Sequence, residues 1–201
     1  MRLGRRLPRA FYARPAPEVA PELLGRILIR RLPDGMRLTA RIVETEAYME
    51  GDPASHSFRG PTPRNEVMFG RPGHLYVYFT YGMHFCMNVV TGGDGEGSAV
   101  LLRAGEPLEG LDEMARRRRT TDLRRLCSGP ARWTEAFGVA RDANGADLAR
   151  GELLYLTEGE PVPRERIRRT TRVGVKVGTD RRWRFLVRDD PSVSPGRPAA
   201  G

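Results

Sequence analysis

Residues 27–48 read ILIRRLPDGMRLTARIVETEAY, and this stretch decides the fold. Two runs rich in β-branched and other apolar residues, 27–32 and 36–48, flank Pro33, Asp34 and Gly35, which favour a tight turn. The pattern predicts a β-hairpin. Similar runs predict six further strands, at 75–80, 85–90, 99–104, 153–156, 172–177 and 183–187.

Four helices are predicted from start and stop signals in the sequence. The first covers 18–24 and is ended by Gly25, and the second covers 62–68, with Thr62 as its N-cap and Pro63 as its first residue. The third covers 108–119. The fourth starts at Ser128 or Gly129, has Pro130 as its first residue and ends by Gly138. Many short strands with turn residues between them are typical of the α+β class. We therefore expect a single α+β domain with a mostly antiparallel, curved β-sheet and helices around it.

The composition is that of a globular chain. Of the 201 residues, 39% are hydrophobic, which allows a sizeable core, and the 23 Gly and 16 Pro fit many turns. We expect residues 18–190 to form the domain, and residues 1–17 and 191–201 to be flexible tails. The sequence has no run of 18 apolar residues and no apolar signal-peptide segment near its N-terminus. These absences predict a cytoplasmic protein that does not bind membranes.

The charge favours a polyanionic partner. Lys and Arg number 34 against 25 Asp and Glu, and the resulting net charge of +9 and pI of 10.4 favour nucleic acid. Lys176 is the only lysine, and a GC-rich genome alone would also produce so many arginines. Cys86, Cys127 and the three histidines lack the spacing of a metal site. We expect no metal and no other cofactor.

The strand 36–48 carries two carboxylates in an unusual place. A period of two puts Glu44 and Glu46 on the same face as Leu38, Ala40 and Ile42. An apolar face that continues into carboxylates indicates that they are buried, and a buried carboxylate can act as a general acid or base. The alternative is that the face emerges into water at the strand end, which would make both residues ordinary surface acids.

Aromatic residues cluster in the next predicted strand and its turn. Tyr76, Tyr78 and Tyr81, three of the six tyrosines, lie within six positions, and Gly82 and Met83 follow. Core packing explains Tyr76. A turn that exposes Tyr81 and Met83 indicates an apolar wedge that enters DNA between bases, with rings nearby to stack on an unpaired base.

Three polar residues near these segments each allow a functional and a structural interpretation. His56, in a polar loop, is either a site residue or a structural histidine. Asn88 either reads a base edge or satisfies backbone groups in the core. Arg103 ends an apolar strand and is either the partner of a buried carboxylate or a surface arginine. The arginine-rich run 116–125 indicates mainly a solvated helix end, with phosphate contact as the second interpretation.

These residues fall into long motifs whose order resembles that of the alkyladenine (3-methyladenine) DNA glycosylase family. The motifs lie at 41–48, 56–57, 62–65, 68–69, 72–73, 75–78, 81–83, 85–88, 100–103, 106–110, 126–130, 172–175 and 184–185. The resemblance, to a bacterial member, covers nearly everything between Leu23 and Val193. It implies excision of alkylated or deaminated purines from DNA by hydrolysis of the N-glycosidic bond. Two features set the chain apart from animal members and bear on its lesion range. The loop between Tyr48 and His56 is shorter, and His84 stands where animal members have a tyrosine.

The resemblance implies roles for the residues that would perform the hydrolysis. Glu46 matches the glutamate that activates the attacking water, and Arg103 and the backbone carbonyl of Val173 match groups that help hold this water. A lyase would need an amine nucleophile, and Lys176 matches no such position. We therefore expect a monofunctional, monomeric enzyme that acts on double-stranded DNA containing damaged purines and leaves an abasic site.

The resemblance also implies how the purine is bound. Tyr48, His56 and Tyr78 match the aromatic residues around the flipped base. Tyr81 matches the tyrosine that fills the gap left in the duplex, beside Met83. Asn88 would crowd the 2-amino group of guanine and so disfavour the normal base.

Two other functions stay open from the residues alone. A nucleic-acid-binding protein without catalysis would use the same basic surface and tyrosine tip, but it has no use for a carboxylate such as Glu46 near phosphates. A hydrolase of free nucleosides would not need an exposed tip at Tyr81 and Met83.

Overall fold

The computed structural model describes residues 4–80 and 82–199, and within these ranges eight antiparallel strands form one sheet. The strands are β1 (Ile27–Arg31), β2 (Arg37–Tyr48), β3 (Leu75–Thr80), β4 (His84–Val90), β5 (Ala99–Glu109), β6 (Leu154–Thr157), β7 (Ile167–Thr170) and β8 (Arg184–Val187). Six of them follow the order β3-β4-β5-β2-β1-β6, and β8 pairs with both β2 and β7. The predicted hairpin of β1 and β2 and the α+β class are confirmed.

Four α-helices surround the sheet in the described ranges. They are α1 (Arg9–Tyr12), α2 (Ala16–Glu22), α3 (Leu111–Arg118) and α4 (Pro130–Phe137). The prediction that the last of them has Pro130 as its first residue is confirmed. Among these residues, the helices are too short and too polar for any of them to cross a bilayer.

The twelve-residue strand β2 is the centre of the sheet. It pairs with β5 along one edge, and along the other edge it pairs first with β1 and then with β8. Because both edges of β2 are hydrogen-bonded, its C-terminal half is held rigidly inside the molecule.

An irregularity in β2 sorts its side chains between two faces. Its register with β5 shifts twice around Glu44. Val43 and Ala47 consequently join the same core cluster as Ile42, and the alternation then puts Glu44 and Glu46 on the opposite face. The prediction that the two carboxylates continue the apolar face ending at Ile42 is therefore wrong, because an extra residue in the strand changes the parity. Both carboxylates are nevertheless fully buried.

The segment before α2 packs against the rest of the molecule. Tyr12 is fully buried, and Leu7 is nearly so. The guanidinium of Arg9 donates to the carbonyl of Pro72 and lies 2.5 Å from Asp147. The flexibility of the two tails stays a prediction, but the described part of the first one contributes side chains to the core.

Three predicted helices differ from those observed. The first covers Ala16–Glu22 instead of 18–24, with Pro17 in its first turn. The third begins at Leu111 instead of 108, because β5 continues to Glu109 and Gly110 turns the chain with a φ of 76°. The predicted helix 62–68 is a 3₁₀ turn over Glu66–Phe69. The side chain of Asn65 accepts hydrogen bonds from the amide and hydroxyl of Thr62. Thr62 therefore closes a loop instead of capping a helix.

The segment 172–177 is not a strand. Its alternating sequence favours one, but the side chain of Arg172 turns into the interior and Gly174 has a φ of 73°. A single bridge joins Val173 to Pro198. The remaining strand of the sheet is instead β7, which pairs with β8 on the edge that β2 leaves open. It lies in a polar, arginine-rich stretch that carried no strand signal.

Candidate active site

Glu46 is a fully buried carboxylate held by three donors. Its Oε1 accepts the amide N–H of Val173 at 2.7 Å. Its Oε2 accepts the hydroxyl of Tyr48 at 2.9 Å and lies 3.4 Å from Nη1 of Arg103. These three donors satisfy the buried carboxyl group and fix its orientation.

The position of Val173 differs in detail from what the resemblance implies. Its backbone amide, and not its carbonyl, makes the contact with Glu46. The role of the carbonyl as a water ligand stays a prediction. Arg103 is 8% exposed and paired with buried carboxylates, so the alternative of a surface arginine is wrong.

A second buried carboxylate, Glu44, lies behind this group. It accepts hydrogen bonds from Nε of Arg184 at 2.6 Å, from the amide of Ser194 at 2.7 Å and from the hydroxyl of Ser194 at 3.0 Å. Nε of Arg103 lies 3.0 Å from the same carboxylate. Neither Arg184 nor Ser194 was among the predicted site residues, because their partners are 140 and 150 positions away in the chain.

A cavity of about 80 Å³, partly open to solvent, lies next to Glu46. It is lined by Tyr48, Ala54, His56, Met68, Tyr76, Tyr78 and Asn88. All four residues predicted to contact a base are in this set. Since Tyr48 both lines the cavity and donates to Glu46, the carboxylate lies directly behind the cavity wall.

The aromatic walls determine where a flat ligand can fit. The rings of His56 and Tyr78 are in edge-to-face contact, with centroids 4.5 Å apart and planes at 72°. A ring stacked between two others needs about 7 Å between them, because carbon atoms in contact lie about 3.5 Å apart. No base fits between His56 and Tyr78. The two rings therefore form one wall, and a flat ligand would lie between that wall and Tyr48.

Burial keeps the ring of His56 uncharged. Desolvation, aided by the nearby charge of Arg64, lowers the pKa of His56 below its usual value, so the ring is neutral at pH 7. Its Nδ1 is 2.9 Å from the hydroxyl of Tyr76. Burial raises the pKa of Tyr76 to about 12 and raises the pKa of Tyr78 as well. The wall therefore presents neutral, electron-rich rings, which favour a cationic ligand.

A buried ion pair supports the opposite wall. The guanidinium of Arg172 lies 4.7 Å from the centroid of the Tyr48 ring. Both of its terminal nitrogens donate to the carboxylate of Asp52, and both side chains are fully buried. Burial works to lower the pKa of Arg172, but the bonds to Asp52 raise it overall, so this side chain stays charged. The pair fixes Tyr48 from behind.

Asn88 combines the two interpretations that its sequence position allowed. Its Nδ2 donates to the carbonyl of Tyr76 at 3.1 Å, which is the structural role. Its side chain also lines the cavity. With one end of the amide fixed, the residue presents a rigid polar edge to whatever fills the pocket.

The tip between β3 and β4 exposes apolar side chains. Met83 is 70% exposed and Phe79 is 40% exposed, and Gly82 turns the chain with a φ of 67°. Tyr81 lies outside the described residues. Exposed apolar side chains on a tip that follows Tyr78, a residue of the cavity lining, indicate a surface that contacts a partner.

The arginine-rich helix end is partly neutralised by two glutamates. Arg116 and Arg117 pair with Glu113, and Arg118 pairs with Glu135. These contacts agree with the interpretation of this run as a helix end.

Comparisons with known proteins agree on one family. The family model described as methylpurine-DNA glycosylase (MPG) matches residues 10–191. A protein of Carboxydothermus hydrogenoformans is 51% identical over 188 residues, which are 94% of this chain and 98% of that protein. One of Chlorobaculum parvum is 47% identical, covering 96% and 92%, and one of Streptomyces avermitilis is 51% identical, covering 95% and 92%. All three are provisionally named 3-methyladenine DNA glycosylase.

Proposed function

The chain belongs to the methylpurine-DNA glycosylase family of DNA-repair hydrolases, which act on N-glycosidic bonds, and we propose that Glu46 activates the water in this reaction. The damaged purines would be of the 3-methyladenine, 7-methylguanine, hypoxanthine or ethenoadenine type. The observation that carries the proposal is that the buried carboxylate of Glu46 accepts a hydrogen bond from Tyr48, which lines the aromatic cavity with His56, Tyr76 and Tyr78, here called the slot.

The hydrogen bonds of Glu46 leave room for a water molecule. A carboxylate has about four acceptor positions, two on each oxygen. Oε2 faces both Tyr48 and Arg103, whereas Oε1 accepts, within the described part of the chain, only the amide N–H of Val173. The free position on Oε1 would accept a proton from the attacking water, and the water oxygen would then bond to the C1′ carbon as the purine leaves.

The aromatic slot fits the electronic demand of the leaving group. An alkylated purine carries positive charge before its bond to the sugar breaks, and neutral rings of Tyr48 and Tyr78 stabilise such a charge. The base must leave the stack to enter the slot, which requires a few kcal/mol and less at a damaged pair. Met83 at the exposed tip, together with Tyr81, its near neighbour in the sequence, would occupy the vacated space in the duplex.

We expect the reaction to stop at an abasic site. Duplexes that each carry one defined lesion should stay unbroken after incubation and break at the lesion only after alkali treatment. Lys176→Ala should release the base at the wild-type rate, because this exposed side chain has no part in the proposed chemistry. Strand breaks before alkali, or loss of activity in Lys176→Ala, would show a lyase step. The matching free nucleosides should stay intact; their cleavage would favour the nucleoside hydrolase.

The wedge predicts different results on duplex and single-stranded DNA. Tyr81→Ser should weaken binding to lesion duplexes about tenfold, since the unstacking of the base is no longer offset. Excision from single-stranded DNA should change much less. Leu153→Ser, at an exposed apolar position elsewhere in the chain, is the control. It should change neither binding to lesion duplexes nor excision from single-stranded DNA. Equal losses on both substrates would remove the wedge from the proposal.

The basic charge predicts a steep dependence of DNA binding on salt. Each phosphate neutralised by arginine contributes a slope of about −0.9 in log K against log salt on duplex DNA. Titration of a fluorescent lesion duplex between 50 and 200 mM salt measures the slope. A flat response would mean that the net charge of +9 reflects genome composition alone. We propose further that the enzyme acts as a monomer, in the compartment that holds the DNA.

A further inference from the structure

Four charged side chains of alternating sign form a buried chain behind the slot. They are Arg184, Glu44, Arg103 and Glu46, here called the buried quartet, and none is more than 8% exposed. They come from three neighbouring strands, β8, β2 and β5. Two positive and two negative charges cancel, so the quartet as a whole is neutral.

Arg103 is shared unequally between the two carboxylates. Its Nε lies 3.0 Å from Oε1 of Glu44 in an ion pair without a hydrogen bond, whereas its Nη1 donates to Oε2 of Glu46 at 3.4 Å. The closest contacts of Glu44, at 2.6 and 2.7 Å, are with Arg184 and with the amide of Ser194. Glu44 is therefore fixed by β8 and by the C-terminal segment, and it holds Arg103 from one side.

This sharing bears on how well Glu46 can accept a proton. A carboxylate that is fully paired with an arginine has its pKa lowered by about 1–3 units, which makes it a weaker base. A general base is most effective when its affinity for protons suits the working pH. A second carboxylate that takes part of the arginine's charge counteracts the weakening.

We propose that Glu44 is a positioning residue that holds Arg103 back from Glu46 and so preserves the ability of Glu46 to take a proton from water. The inference rests on the proposed function, because it concerns the water-activating role of Glu46. Ser194 and Arg184 in turn fix Glu44.

The surroundings of Glu46 contain other groups that any test must leave in place. Besides Glu44 on the same strand, the charged or titratable groups facing it are Arg103 of β5, Tyr48 of β2, Tyr78 of β3, Cys86 of β4 and Arg172 of the loop after β7. The two test substitutions, at Glu44 and Arg184, leave all of these groups in place.

The test compares two substitutions with opposite electrostatic effects. Glu44→Gln removes a negative charge and frees Arg103 to pair with Glu46, so the acid limb of the single-turnover pH–rate profile should move down by about one pH unit. Its plateau rate should fall about tenfold. Arg184→Gln removes a positive charge, and its acid limb should move up. Affinity for lesion DNA should change less than threefold in both variants, since neither residue lines the slot.

Controls separate positioning from simple damage to the fold. Glu106→Gln makes the same chemical change in another carboxylate that bonds an arginine, Arg41, across β2 and β5, and it should leave the profile unchanged. If Glu44→Gln does not fold, Glu44→Gln with Arg184→Gln keeps the quartet neutral. In this double variant Arg103 is again free to pair with Glu46, so its acid limb should lie below that of Arg184→Gln alone.

The outcomes distinguish the two proposals. Shifts of the acid limb in opposite directions support the positioning role. Shifts in the same direction, no shift, or rates that fall only in proportion to the folded fraction overturn it, while a wild type that still excises lesions leaves the proposed function standing. A wild type that excises no lesion overturns both.

Discussion

Glu46→Gln is expected to reduce base release by at least 100-fold while lesion DNA still binds. General bases contribute about 10²–10⁴ to a rate, and an amide cannot take a proton from water. The glutamine has nearly the same shape, and its carbonyl oxygen can still accept the amide of Val173. The slot is unchanged, so binding is retained.

Single-turnover rates and gel-shift affinities on the same lesion duplex measure the two quantities separately. Glu50→Gln, four positions along the chain and exposed, is the matched control and should behave as wild type. Excision by Glu46→Gln near the wild-type rate would contradict the assignment of Glu46 as the general base. Parallel loss of binding and excision would instead indicate that the substitution damaged the slot.

Asp52→Asn is expected to cause the largest loss of stability. It leaves the guanidinium of Arg172, which has no solvent exposure, without its carboxylate partner. Removal of one partner of a buried ion pair costs about 3–5 kcal/mol. For a domain of this size the melting temperature should fall by about 6–20 °C.

Thermal unfolding monitored by circular dichroism measures this change. Glu158→Gln breaks the pair of Arg5 and Glu158, whose side chains are 89% and 44% exposed, and it should shift the melting temperature by less than about 2 °C. Equal, small shifts in both variants would mean that the carbonyls of Ala47 and Gly178, which also bond Arg172, suffice to hold it.

Local patterns in the sequence predicted most strands of the sheet. The turn residues after 27–32 and the apolar runs at β3, β4 and β8 are local signals, and the structure has strands there. The segment 172–177 shows the limit of such patterns. Its alternation favours a strand, but the interior contact of Arg172 with Asp52, 120 residues away, outweighs that preference.

The sequence predicted part of the site, but the structure buries Glu46 for a different reason. Burial of Glu46 agrees with the expectation, yet it arises because the register shift around Glu44 puts both carboxylates on the face opposite the apolar residues. Nothing in the local sequence signals that shift. Arg184 and Ser194 were missed because only the folded chain brings β8 and the C-terminal segment to β2.

The C-terminal segment that bonds Glu44 has a consequence for synthesis. The ribosome makes the residues that line the slot, of which Asn88 is the last, before it makes Arg172, which supports Tyr48, and before it makes Ser194 and Pro198. Until Ser194 and Pro198 have been made, Glu44 lacks the hydrogen bonds from Ser194, and Val173 lacks its bridge. The order of synthesis therefore separates the residues that line the slot from those that fix the carboxylates behind it.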